Sequence, residues 1–143
     1  VTSAVLAVLN GEDRYMIAFH SEIQGWTPWK QFRFSGDLES AATAQVLLAV
    51  SENRKMVRKN LKDSHGLLTE KKLEEIRKSG YTRCLFGKLM VYGFLIDAPG
   101  YPPSAFGFST PLSVDCQKAE DFAMECRKEI LNALTDTPAH APC

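Results

Sequence analysis

Four cysteines, three histidines and one acid in an apolar run are the side chains able to do covalent or metal chemistry. Their spacing argues against both. His20 falls in strand-like sequence, His65 in a loop and His140 in the tail, and no two have ligand spacing. Cys84, Cys116, Cys126 and Cys143 form no CxxC pair. Cys116 and Cys126 fall on one predicted helix and cannot bridge to each other. The plain reading is reduced thiols in a cytoplasmic protein. Cys84 with His20 as its base is the one nucleophile pair on offer. Asp97 is either a pocket acceptor or a buried, hydrogen-bonded structural acid. Without a poised nucleophile, an acid–base pair or a metal cluster, the expectation is a protein that is not an enzyme and needs no cofactor or metal.

Binding chemistry has a better candidate. The run Ser40-Ala41-Ala42-Thr43-Ala44-Gln45 opens a helix that continues Val46-Leu47-Leu48-Ala49. A helix start carries unpaired N–H groups and roughly half a positive charge, which attract anions and carbonyl oxygens. Small side chains let a ligand approach that backbone. Two strands lie further along, Gly93 to Pro99 and Ala105 to Pro111, and the helix start can face them.

The elements that must position this helix are legible in outline. Ser3 to Leu9 is apolar on both faces and ends at the turn signal Asn10-Gly11; Tyr15 to His20 returns, giving a central hairpin. Trp26 to Phe34 reads as extended, because Pro28 opposes a helix. Asp37 can cap a helix running to about Val50. A second helix lies near Asn53 to Leu61. Thr69 caps a third, with Leu73 and Ile76 inward and Gly80 as its stop. Strands follow near Cys84 to Phe86, Leu89 to Ala98 and Ser104 to Thr110. Ser113 or Asp115 caps a last helix, whose inward face is Ala119, Phe122, Ala123, Cys126, Ile130 and Leu134. The order β-β-β-α-α-α-β-β-β-α predicts an α+β domain. It covers residues 1–135, with 136–143 a Pro- and Ala-rich flexible tail.

Composition narrows the class. At 143 residues and 45% hydrophobic content, the chain can bury a core and is not disordered. Lys+Arg and Asp+Glu both number 17, which argues against nucleic-acid binding as the chain's own work. Basic residues concentrate between 51 and 83, interleaved with acids at helical spacing, as on the solvated faces of ordinary helices. No apolar run has transmembrane length, so no membrane partner is expected. The start at Val1 reads as a segment of a longer protein with a domain upstream.

In four places the chain resembles the effector-binding domain of IclR-type transcriptional regulators. Leu38 to Ala49 looks like that family's small-residue helix start. Leu73 to Tyr81 looks like its helix ending in Arg-x-x-Gly-Tyr. Ile96-Asp97-Ala98-Pro99 and Ala105 to Pro111 resemble two of its strands. The resemblance implies a GAF-like antiparallel sheet of about six strands with helices packed on it. It further implies a small-molecule effector, a winged helix-turn-helix domain upstream that contacts operator DNA, and a homo-oligomer, dimer or tetramer. Ligand amides would be those of Ala42 and Thr43. The family's pocket positions fall on Cys84 (or Leu85), Leu95, Gly107 and Ser109, most of them less polar here than the family's residues. Trp26 and Trp29 are then candidates for an aromatic wall, against a reading as interface or packing residues. The expected effector is apolar or aromatic, such as an aromatic acid with its carboxylate on the two amides. The competing expectation is an assembly module that has lost its ligand.

Overall fold

The structure is a computed structural model and describes residues 3–10, 13–21, 25–28, 33–34 and 41–136; of residues 10, 13, 16–19, 21, 25–28, 33–34 and 136 it describes the backbone alone. Strands β1 (Ser3–Asn10), β2 (Asp13–Ser21), β3 (Gly25–Pro28) and β4 (Arg33–Phe34) come first. Helices α1 (Ala42–Val50), α2 (Arg54–Asp63) and α3 (Glu70–Ser79) follow. Strands β5 (Tyr81–Phe86), β6 (Leu89–Ile96) and β7 (Ser104–Pro111) and helix α4 (Cys116–Asp136) complete the described chain.

The strands make one antiparallel sheet, ordered β3-β2-β1-β7-β6-β5, with β4 pairing only to β2. Among the described residues seven strands are thus counted where about six were expected, the additional one being two residues long. The α+β class holds. β1 is apolar on both faces because it is central: β2 and β7 flank it, and both faces of the sheet are covered.

Alternation divides those faces. Ala4, Tyr92, Phe94 and Phe108 share one with Ala119 and Ala123 of α4. Tyr92 stacks on Phe108 with ring centroids 4.9 Å apart. Ala7, Leu95 and Ala105 look the other way and pack with Val46, Leu47, Leu48 and Ala49 of α1, Met56 and Val57 of α2, and Leu73 and Ile76 of α3.

Local chemistry sets most of the helix ends. Asn53 Oδ1 accepts from the Met56 amide at 3.2 Å, and Thr69 Oγ1 from the Lys72 amide at 3.1 Å. Gly80 ends α3 at φ +67°, where its missing Cβ avoids the left-handed penalty. Asp115 Oδ1 accepts from the Lys118 amide at 3.1 Å, so Asp115 is the cap of α4. Two expectations are corrected. α1 starts at Ala42 with Ala41 as its N-cap, not from a cap at Asp37, which lies outside the described residues. Phe122 is 51% exposed, because α4 meets the sheet through small Ala119 and Ala123 and leaves this ring at the margin, edge-on to Phe108.

Candidate functional site

The first turn of α1 is seated on two glycines. Gly93 and Gly107 are partners across β6 and β7. A Cβ on Gly93 would lie 2.7 Å from the carbonyl carbon and oxygen of Ala42 and 3.0 Å from the Thr43 nitrogen. One on Gly107 would lie 2.5 Å from Thr43 Cγ2. Helix and sheet approach this closely only because neither strand carries a side chain there. The space directly beneath the turn is therefore filled.

The open end of the helix faces elsewhere. From the glycine pair, α1 runs over Ala7, Leu95 and Ala105, which lie to one side of it. Its N-terminus thus faces the register row on the other side, Ser3, Ser109, Val91 and Cys84, one residue from each of four adjacent strands. Ser3 and Ser109 share a hydrogen bond of 2.7 Å between hydroxyls. Ser3, Val91 and Cys84 are only half-buried, so the row is not closed over.

That helix end is built to attract negative charge. It has no side-chain cap and no acid in its first turn, and Ala42, Thr43 and Ala44 are buried. Arg14 reaches it from β2: the guanidinium Nη1 donates to Thr43 Oγ1 at 2.5 Å. Arg14 is 6% exposed. Burial lowers its pKa to about 10, so it remains a cation at neutral pH. The guanidinium and the positive end of the helix dipole thus lie side by side, the two kinds of group that bind carboxylates.

Arg14 is on this face because β2 is bulged. Leu6 pairs with Ala18 but Ala7 pairs with Met16, so Ile17 is an extra residue. Regular alternation would put Arg14 on the α4 face with His20; the bulge moves it to the other. Sequence alternation gives no sign of this, and Arg14 was not foreseen. Gly93 did carry a signal, a glycine inside an apolar strand, the mark of a close backbone approach.

The expected positions are only partly brought together. Ala42, Thr43 and Gly107 form the helix–sheet contact, with Ser109 and Cys84 in the row ahead of it. Leu95 is apart from them, in the core under α1 and α3 on the far side of the glycine pair. Trp26 pairs in register with His20, in the row of Ala4 and Phe108 rather than that of Ser109. Its side chain, and Trp29 altogether, lie outside the described residues. Asp97 is exposed, neither a pocket acceptor nor a buried acid. Cys84 and His20 belong to opposite faces of the sheet, so the proposed nucleophile pair does not assemble. Burial pushes the Cys84 thiol up, against the opposing pull of Lys72 and a hydrogen bond with Gln45. Among the described residues no group of three or more His, Cys, Asp or Glu could hold a metal ion. No described helix is long and apolar enough to cross a membrane.

One buried hydroxyl has no hydrogen-bond partner here. Thr82 of β5 is 3% exposed and pairs in register with Gly93.

No protein-family model matches the sequence, and no curated protein does. Solved structures do match in shape. An IclR homolog from Microbacterium hydrocarbonoxydans, complexed with 4-hydroxybenzoate, aligns over 94% of this chain at 16% identity and a TM-score of 0.72. The inducer-binding domain of the Acinetobacter transcription factor PobR, a double mutant complexed with 3-hydroxybenzoic acid, aligns over 93% of this chain and 87% of its own, at 15% identity and a TM-score of 0.65. The C-terminal domain of the E. coli transcriptional regulator KdgR aligns over 90% of this chain and 85% of its own, at 17% identity and a TM-score of 0.62. The chain spans 61% of the length of the Microbacterium protein. Its fold is that of the effector-binding domains of IclR-type regulators.

Proposed function

We propose that this chain is the effector-sensing and oligomerisation domain of an IclR-type transcriptional regulator, and that its effector is an aromatic acid. In this reading it is a binding domain and not a catalyst. It acts in the cytoplasm, as a dimer or tetramer, and operator DNA is held by a domain outside this chain. The fold supports the class, and two neighbours of the same fold are complexes with hydroxybenzoates. The observation that carries the ligand chemistry is the Arg14 contact with Thr43 at an uncapped, buried helix start.

Calorimetric titration tests this. Benzoate and hydroxybenzoates bind, while benzamide, of the same shape but uncharged, binds far more weakly. Arg14→Gln removes most of that difference, worth about 1.5–3 kcal/mol for a charge-assisted pair. Equal affinity for acid and amide, or tight binding of small aliphatic acids alone, would overturn it.

The filled space under the first turn favours a second reading, a ligand-free assembly module. A thermal shift separates the two. A ligand at 100 times its Kd stabilises by about 2.7 kcal/mol; no shift across a panel of metabolites favours the assembly module.

A further inference from the structure

Thr82 was not among the expected ligand positions, and the pocket reading does not use it. A strand threonine this deeply buried ordinarily gives its hydroxyl to a carbonyl or another side chain. This one has no such partner. Its surroundings are specific. Register puts Thr82 opposite Gly93, over which Ala42 and Thr43 lie. It is thus on the strand next to the one on which the uncapped first turn of α1 rests, one strand spacing of about 4.8 Å from Gly93. Two residues along the same face is Cys84, in the half-open row ahead of the helix end. The hydroxyl is one donor and two acceptors, and it carries no charge. It suits a neutral hydrogen-bonding group better than a second anion.

We infer that Thr82 is a specificity residue that pairs with a hydroxyl group on the effector, so that the preferred ligand is a hydroxyl-substituted aromatic acid. Arg14 and the start of α1 take the charge; Thr82 reads the substituent. The inference rests on the aromatic-acid reading of the same site. It also explains a cost in the ligand-free domain: the hydroxyl is desolvated on folding and is satisfied when effector binds.

The test uses wild type, Thr82→Val, which keeps the shape without the hydroxyl, and Thr82→Ser, which keeps the hydroxyl. Thermal midpoints are read without ligand, and affinities are read by calorimetry for benzoate, 3-hydroxybenzoate and 4-hydroxybenzoate. Without ligand, Thr82→Val is as stable as wild type or more so. It weakens at least one hydroxybenzoate by roughly tenfold, as for the loss of one good hydrogen bond, and leaves benzoate within about twofold. Thr82→Ser recovers most of the loss. A clear drop in the ligand-free midpoint of Thr82→Val would show that the hydroxyl is already paired, overturning the inference with no ligand involved. Equal weakening of all three acids, or of none, while wild type still binds them, overturns it and leaves the aromatic-acid reading standing. Wild type that binds none of the three overturns both.

Discussion

At the scale of single residues, the site depends on two missing side chains and one methyl group. Gly107 has Thr43 Cγ2 in the place of its Cβ, with Tyr92 O and Val5 Cγ1 at 3.1 and 3.2 Å. Gly107→Ala must therefore displace Thr43 and costs about 1–3 kcal/mol in overpacking. Thr43→Ser removes that methyl and keeps the Oγ1 to which Arg14 donates. In the Gly107→Ala background it restores part of the lost stability, and a double-mutant cycle in urea shows a favourable coupling. Strict additivity of the two substitutions would mean that α1 does not rest on Gly107 as described. Gly93→Ala admits no such rescue, because the atoms it meets are backbone.

At the scale of elements, what was legible in the sequence was what local chemistry decides. Thr69 and Gly80 announce helix ends because capping needs only a side chain and its next few neighbours. The alternation of Phe106 and Phe108 against Gly107 and Ser109 is equally local, and it puts the glycine on the correct face; the turn signal Asn10-Gly11 falls partly outside the described residues. The bulge at Ile17 has no local signature. It follows from how β2 pairs with β1 over its whole length, and so the face taken by Arg14 could not be read from alternation. Leu95 misled for a related reason: its strand and face were right, but the direction of α1 across the sheet puts it behind the helix start. The local part can be tested at Gly80, whose φ of +67° precedes the strand and whose carbonyl accepts from the Leu95 amide at 2.8 Å. Gly80→Ala loses about 1–2 kcal/mol by equilibrium unfolding, and Gly80→Asn loses less, since asparagine tolerates the left-handed region. An alanine variant as stable as wild type would remove conformational strain as the reason for glycine here.

At the scale of the whole molecule, half-buried ionisable groups on both faces couple the fold to alkaline pH with a definite sign. Cys84 on the α1 face is pushed up mainly by burial. Cys126 of α4 is pushed up by burial and by Glu129 and Glu125. Tyr81 is raised by burial and by its hydrogen bond and charge interaction with Glu120. Each group gives up its proton more easily in the unfolded chain. Their contribution to stability is complete below the unfolded thiol value of 9.0 and is lost as pH climbs from there toward the folded values. Arg14 works in the opposite direction: its lowered pKa makes the folded form release a proton first, but only from about pH 10 upward. Between roughly pH 9 and 10 the thiols act without that compensation. Urea midpoints should therefore hold steady from pH 7 to 8.5 and fall by pH 10, while Cys84→Ala combined with Cys126→Ala flattens the first part of the fall. A midpoint that rises across this interval, or a double variant with an unchanged slope, would mean that partial burial does not raise the two thiols as described. The partial burial of Cys84 also bears on the site. If the proposed acid sits over the half-open row beside Ser109, alkylation of Cys84 slows further when that acid is present, whereas Cys126, across the sheet, reacts at the same rate with and without it.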